Sequence, residues 1–241
     1  MIPKYVDIGI DDSILSTLCI LVSINRKKIS IEGGLMKSEI MNLFATPVVR
    51  YSIDRDFFLS EMKFLSGELE QPTKAITNFS SSNKNILISP EMREIREFAE
   101  QSLAHYLKTI FNTSNKVRLK ITQSWLTLTR EGESHHSHTH PNSVVSGVLY
   151  INLGSKDGIN FFRNEDSTWY ELLREQETYH NTFKYFIPAS VGDLILFPSN
   201  IRHGVPEVKE PIERVSLSFN SFFEGELGRS EYSNSLSLEL K

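Results

Sequence analysis

A cluster of histidines lies near the middle of the chain, and imidazole is the side chain that proteins use most often to bind a transition metal. Four of the seven histidines fall within residues 135–140. His138 and His140 are two residues apart, so on one strand their side chains would share a face, as two ligands of one ion require. His203 is a third candidate ligand further along the chain. The alternative is a solvated, histidine-rich loop that binds nothing.

The composition of the chain limits the class of protein that carries this cluster. A length of 241 residues with 39% hydrophobic residues fits one large domain with a sizeable core. The net charge is -4 and the charges are mixed along the chain, so we do not expect a nucleic acid partner. Cys19 is the only cysteine, which excludes an internal disulfide and favours a reducing, cytoplasmic compartment. The oligomeric state stays open, with a homodimer as one alternative.

The first forty residues differ in character from the rest. Ile14 to Ile24 is a mostly apolar run, but it is far shorter than the roughly 20 residues of a membrane-spanning helix. Acidic residues precede this run, whereas a signal peptide begins with a basic segment, so no membrane association is expected. We interpret residues 1–40 as an N-terminal extension that is poorly ordered or not native protein, and residues 41–241 as the functional domain.

A chain that begins at Met41 is therefore expected to fold and to bind metal as well as the full-length protein. The reason is that residues 1–40 carry no motif and no strand periodicity. Thermal unfolding and metal content of the two chains test this directly. A large loss of thermal stability on truncation would show instead that the apolar run from Ile14 to Ile24 belongs to the core.

Hydrophobic periodicity predicts two helices followed by a series of strands. Helices are predicted over residues 57–70 and from Ser89, an N-cap followed by Pro90, to residue 110. The Ser- and Asn-rich residues 71–88 predict a loop. Strands are predicted over residues 43–53, 117–129, 144–153, 158–163, 182–187, 193–197 and 214–223, with a short helix at 169–174. This order indicates an α+β domain whose helices brace an antiparallel β-sandwich.

Three motifs occur at related places in this strand set. His138-Thr139-His140-Pro141-Asn142-Ser143 is followed by Ser146-Gly147-Val148-Leu149-Tyr150. Phe197-Pro198-Ser199 leads to His203, and Arg214-Val215-Ser216-Leu217-Ser218-Phe219-Asn220 opens the last strand. In this order and spacing the motifs resemble those of the iron(II)- and 2-oxoglutarate-dependent oxygenases, in particular a group from phages and marine bacteria. The resemblance covers roughly residues 41–223.

This resemblance implies a fold, a reaction and cofactors. The fold would be a double-stranded β-helix, a jelly-roll and cupin-like core braced by the N-terminal helices. The reaction would be hydroxylation of a substrate with release of succinate and CO2, with Fe(II) as the metal and 2-oxoglutarate and O2 as cosubstrates. The substrate is not readable from the sequence. Analogy with the prolyl hydroxylases favours a peptidyl side chain, and a small molecule is the alternative.

The resemblance also implies which residues form the site. His138, His140 and His203 would be the catalytic metal ligands. Arg214 would pair with the C5 carboxylate of 2-oxoglutarate, and Tyr150 would hydrogen-bond the same carboxylate. Most of the family has Asp or Glu where this chain has His140, so the iron site would carry one more positive charge.

Two further interpretations compete with the oxygenase. A cupin-type metal protein, either a thiol dioxygenase or a small-molecule binding module, is favoured by Gly132 before the His138 pair and by Gly192 before His203. Against it, the glutamate that follows the second histidine in cupins is absent, and Arg214 would have no role. The other interpretation is a metal-free jelly roll with a structural function.

Other residues near the cluster have weaker signals. His135 and His136 are neighbours, so they would face opposite sides of a strand, and we interpret both as exposed loop residues. Trp125 lies on the strand that enters the cluster and is predicted to be a core residue.

Overall fold

The computed structural model describes residues 40–163, 173–229, 231 and 233–240. The apolar run from Ile14 to Ile24 and most of the helix predicted at 169–174 lie outside the described residues. The chain divides into two compact units, Met1–Ala45 and Thr46–Lys241. Among the helices of the described residues, none has the length and apolar character needed to cross a membrane.

Both helices predicted before the strand series are present. They are α1 (Leu59–Glu68) and α2 (Arg93–Tyr106), and a 3-10 turn at Pro90–Met92 leads into α2. A π-helical turn, Leu107–Phe111, follows α2. Because this turn is wider than an α-helical turn, it shifts the phase of the apolar stripe. Ile110, the last residue of the helix predicted from Ser89, is consequently 37% exposed.

Strands make up most of the remaining chain. In chain order they are β1 (Val49–Ser52), β2 (Thr73–Lys74), β3 (Phe79–Ser80), β4 (Val117–Thr129), β5 (His135–His138), β6 (Val145–Asn152), β7 (Gly158–Phe162), β8 (Lys184–Pro188), β9 (Asp193–Pro198), β10 (His203–Val205), β11 (Arg214–Leu227) and β12 (Leu236–Leu238). Within the described residues, eight strands form a large antiparallel sheet ordered β1-β9-β6-β11-β4-β3-β2, with β12 beside β11. Four form a small antiparallel sheet ordered β5-β10-β7-β8.

Two segments differ from the prediction. The strand expected over residues 43–53 is confined to β1. Residues 71–88, expected to be a loop, contain β2 and β3, because β3 pairs with β4 and β2 pairs with β3. Ser81, next to β3, adds two hydrogen bonds to β4. The Ser81 N–H donates to the Leu126 carbonyl at 3.0 Å, and the Leu126 N–H donates to the Ser81 hydroxyl oxygen at 3.0 Å. This pairing is a tertiary contact, and the polar local sequence gives no sign of it.

Two hydrophobic cores form on opposite faces of the large sheet. Leu194 and Leu196 of β9 belong to the core that includes the residues of α1 and α2. Ile195 and Phe197, at the intervening positions, belong to a second core with residues of β7 in the small sheet. This alternation with a period of two shows that β9 is buried on both faces. The second core lies beside the histidine cluster and so supports its position.

Gly147→Ala is expected to lower the free energy of unfolding by about 1–3 kcal/mol, the usual cost of overpacking a core. A Cβ atom at Gly147 in β6 would overlap the ring of buried Phe219. Gly67→Ala is the matched control, because Gly67 lies in α1 and its Cβ would meet nothing within 4 Å. Urea unfolding should find the control as stable as wild type or slightly more stable. A Gly147→Ala protein that matches this control would contradict the packing described for β6.

Candidate metal centre

The three predicted metal ligands, His138, His140 and His203, come together at one place in the structure. His138 ends β5 and His203 begins β10, and the two residues lie opposite each other in the small sheet. His140 lies two residues beyond the end of β5, where its N–H donates to the Ser199 carbonyl at 2.9 Å. Each side chain offers a nitrogen, and these atoms all lie within 4.8 Å of one another. Three nitrogens at this spacing could hold one metal ion.

Hydrogen bonds fix the tautomers of two of these imidazoles. The Nδ1–H of His138 donates to the His136 carbonyl at 2.8 Å. The Nδ1–H of His203 donates to the Ile201 carbonyl at 3.0 Å. Because a carbonyl can only accept, Nδ1 carries the hydrogen in both rings, and the lone pair of Nε2 is available to a metal. Backbone acceptors of this kind hold metal-binding histidines in a fixed orientation.

Burial keeps the three imidazoles in their neutral form. Desolvation lowers the pKa of His203 to about 3 and the pKa of His140 to about 4. It also lowers the pKa of His138, partly opposed by the hydrogen bond to His136. Neutral imidazole is the form that binds metal, so no proton has to be removed from these rings at neutral pH.

A network of buried hydroxyls joins the two segments that carry His140 and His203. The Ser199 Oγ is 2.7 Å from the Ser143 Oγ and 2.8 Å from the Ser146 Oγ. Ser199 and Ser146 are buried, and a buried hydroxyl is costly to leave unpaired. The network therefore opposes relative movement of the segments. The same serines belong to the motifs identified in the sequence.

His135, predicted to be an exposed loop residue, lines the same cavity as the three histidines. His138 lies opposite His203 and His135 lies opposite Val205, so β5 has two residues between these pairs where β10 has one. The extra residue is a β-bulge that reverses the alternation, so the rings of His135 and His138 stack with centroids 4.4 Å apart. A Cβ at Gly204 would lie only 2.8 Å from the His135 carbonyl oxygen. This glycine is the one sequence feature that could have indicated the close approach of the strands.

Two other residues of the cluster also differ from their predicted environments. His136 lies in β5 and is half-buried instead of being exposed in a loop. Trp125, predicted to be a core residue, lines the cavity with its ring centroid 5.6 Å from that of His140. The wall of the cavity next to His140 is therefore aromatic.

Arg214 and Tyr150, the residues predicted to bind a carboxylate, line this cavity together with the histidines. Arg214 begins β11 and Tyr150 lies in the neighbouring strand β6, with the guanidinium carbon 5.5 Å from the centroid of the tyrosine ring. Their exposed fractions are 1% and 0%. Burial raises the pKa of Tyr150, so its hydroxyl stays protonated and can donate.

Two polar atoms of this pair have no hydrogen-bond partner among the described residues. They are the Tyr150 hydroxyl oxygen and the Arg214 Nη2. Buried donors that lack an acceptor cost free energy, and a buried guanidinium costs more than a neutral group. A carboxylate could accept hydrogen bonds from both. The cavity thus combines three neutral imidazoles with donors suited to an anionic group.

One family of known proteins matches this part of the chain. The family described as "Putative 2OG-Fe(II) oxygenase" matches residues 123–220, and the matched segment contains all five predicted site residues. Residues 123–220 are thus a segment of the 2OG-Fe(II) oxygenase type. The predictions of an oxidoreductase and of Fe(II), 2-oxoglutarate and O2 are confirmed by this match. The narrower phage and marine-bacterial group stays a prediction.

Solved structures with TM-scores above 0.5 share the fold of this chain at low sequence identity. SnoK, a non-heme alpha ketoglutarate dependent carbocyclase from nogalamycin biosynthesis, has a TM-score of 0.52 at 12% identity, covering 73% of this chain and 79% of that one. SnoN, an epimerase of the same biosynthesis, has a TM-score of 0.52 at 11% identity, covering 73% and 78%. A prolyl-4-hydroxylase from Pseudomonas putida has a TM-score of 0.45 at 16% identity, covering 73% and 92%. No curated protein matches the sequence significantly.

Proposed function

We propose that this oxygenase binds Fe(II) through His138, His140 and His203 and hydroxylates a substrate at the expense of 2-oxoglutarate and O2, releasing succinate and CO2. The observation that supports this most strongly is one buried cavity that is lined by the three histidines and by Arg214 and Tyr150. In the cupin-type alternative, the buried Arg214 would have no role in this cavity.

The residues of the cavity would have two roles, which are to bind the iron and to orient the cosubstrate. Bound iron supplies the redox chemistry that couples decarboxylation of 2-oxoglutarate to oxidation of the substrate. The three imidazoles hold the ion without adding negative charge, which favours a dianionic cosubstrate. Arg214 donates to the C5 carboxylate through a charge-assisted hydrogen bond, and Tyr150 donates its hydroxyl hydrogen to the same carboxylate. Burial of the pair excludes water from these contacts.

We also propose that the two sheets form a double-stranded β-helix within an oxygenase domain of residues 41–241. The order of the strands supports it. From β4 to β7, successive strands alternate between the large and the small sheet, and the alternation resumes from β8 to β11. This alternation places β5 and β10, which carry His138 and His203, side by side in the small sheet.

For the substrate, we propose a peptidyl side chain, on the resemblance of the sequence motifs to those of prolyl-hydroxylase-like enzymes. The test is succinate release from 2-oxoglutarate by the iron-loaded protein, screened across peptides, free amino acids and nucleotides. We expect release above the substrate-free rate with peptides. Release with free amino acids alone would overturn the peptidyl assignment. The absence of release with every class, in protein that holds iron and 2-oxoglutarate, would overturn the hydroxylation itself.

A further inference from the structure

We propose that Asp157 is a positioning residue that directs the guanidinium of Arg214 towards the cosubstrate. This inference rests on the proposed function, because it concerns the carboxylate that Arg214 would bind. Asp157 belongs to none of the sequence motifs and lies immediately before β7, in the small sheet, whereas Arg214 begins β11 in the large sheet. The contact therefore joins the two sheets next to the cavity.

The contact between the two side chains is close and buried. Both carboxylate oxygens of Asp157 accept from the Nε–H of Arg214, at 2.9 and 3.0 Å. The exposed fractions of the side chains are 8% for Asp157 and 1% for Arg214. Charge-assisted hydrogen bonds are stronger when water is excluded, so this pair restrains the arginine more than a surface ion pair could.

The chain around Asp157 is itself held in place. The Gly158 N–H donates to the Asp157 Oδ1 at 2.6 Å, which fixes the carboxylate relative to the backbone. The Ala189 N–H donates to the Asp157 carbonyl at 3.0 Å, which joins this residue to the segment after β8. A carboxylate fixed at both side chain and backbone can set the rotamer of a long, flexible partner.

Asp157 pairs with one edge of the Arg214 guanidinium, and this determines which N–H donors remain available to a ligand. A guanidinium has one Nε–H and four hydrogens on its two Nη atoms. Asp157 takes the Nε–H, and Nη1 is 3.4 Å from the Ser216 hydroxyl oxygen. Nη2 has no partner among the described residues. Since Asp157 satisfies the far edge of the group, the Nη2 donors are left for a carboxylate in the cavity.

A second effect of Asp157 acts in the opposite direction. Its negative charge weakens the attraction between Arg214 and an anionic cosubstrate. We expect the positioning effect to be larger, because removal of Asp157 would leave a buried cation without a partner. Such a cation draws in water or adopts a different rotamer, and either change removes the fixed donors. The two effects predict opposite changes in affinity, so an experiment can separate them.

The test compares two ligands that differ only at the far end. Full-length protein is loaded with Fe(II) under nitrogen and titrated with 2-oxoglutarate or with 2-oxopentanoate, which has the same 2-oxo acid group but no C5 carboxylate. Wild type should prefer 2-oxoglutarate. Asp157→Ala should reduce this preference by about tenfold, the size of one charge-assisted contact, while 2-oxopentanoate binds as before. Asp157→Asn keeps an acceptor oxygen and should retain part of the preference.

Glu213→Ala is the matched control for the loss of a nearby negative charge. Glu213 precedes Arg214 in the sequence, but its carboxylate is 64% exposed and pairs with Arg130 instead. This variant should bind both ligands as wild type does.

Three outcomes would overturn the inference. Asp157→Ala could keep the wild-type preference or bind 2-oxoglutarate more tightly, which would exclude a positioning role. It could weaken the binding of both ligands equally, which would show a merely structural role. If wild type itself shows no preference for 2-oxoglutarate, the proposed function fails and the role of Asp157 fails with it.

Discussion

His203→Ala is expected to lose most of the Fe(II) that the wild-type protein holds after anaerobic purification with iron, which should be about one ion per chain. The nitrogens of His138, His140 and His203 lie within 4.8 Å of one another, so removal of one leaves the ion with two protein ligands. Loss of an outer partner of a ligand alone weakens metal binding by about 10–100-fold, so loss of a ligand should weaken it further. Metal analysis of the desalted protein measures the effect.

The matched control for this experiment is His180→Ala. His180 is exposed and lies outside the cluster, so the variant removes an imidazole without touching the site. It should retain the wild-type iron content. The assignment would be wrong if His138→Ala and His203→Ala both kept their full metal content.

His140 has its own test, because the family usually has a carboxylate at this position. His140→Asp should keep iron, since it restores the usual ligand set of two histidines and one carboxylate. The half-buried ring of His140 lies 5.0 Å from that of His203, so a shorter side chain has to reach the ion from the same backbone position. If His140→Asp loses iron as completely as His203→Ala, metal binding requires an imidazole at this position in the segment after β5.

Much of the fold follows from periodicity alone. The strands β4, β6, β7, β9 and β11 lie where alternating or continuous apolar runs predicted them, because each buries at least one face in a core. The two short strands β2 and β3 could not be predicted in this way. β2 pairs with β3 at the edge of the sheet, and β3 pairs with β4, where the adjacent Ser81 contacts Leu126, 45 positions away in the sequence.

The sequence predicted some residues of the site and not others. The motifs indicated His138, His140, His203, Arg214 and Tyr150, and the structure brings all five to one cavity. The predicted environment of His135 was wrong, because strict alternation of side chains assumes a regular strand ladder and β5 contains a bulge. Asp157 gave no signal, because a carboxylate that pairs with an arginine 57 residues away follows no local pattern. Contacts between residues far apart in the sequence are thus the part of the site that sequence patterns did not predict.

Arg214→Ala is expected to weaken 2-oxoglutarate binding by about ten- to a hundredfold. A charge-assisted contact contributes about 1.5–3 kcal/mol, and each 1.4 kcal/mol corresponds to a factor of ten. Arg214→Lys should recover only part of the affinity, because lysine keeps the charge but loses the fork of donors. Tyr150→Phe should cost less than Arg214→Ala, since it removes one neutral donor. The measurement is titration of the iron–2-oxoglutarate charge-transfer band under nitrogen.

Iron content distinguishes loss of the cosubstrate contact from collapse of the site. All three variants should keep the iron of wild type, because neither residue belongs to the histidine triad. Arg214→Ala leaves the carboxylate of Asp157 without its buried partner, so thermal unfolding must accompany the titration. Tyr150→Phe leaves no buried charge unpaired, so it provides a second test of the cosubstrate contact at the same site. Arg202→Ala is the control, since it removes an exposed cation beside His203 and should titrate like wild type. If wild type forms no band, or if Arg214→Ala titrates like wild type, the cosubstrate assignment falls and the cupin-type alternative takes its place.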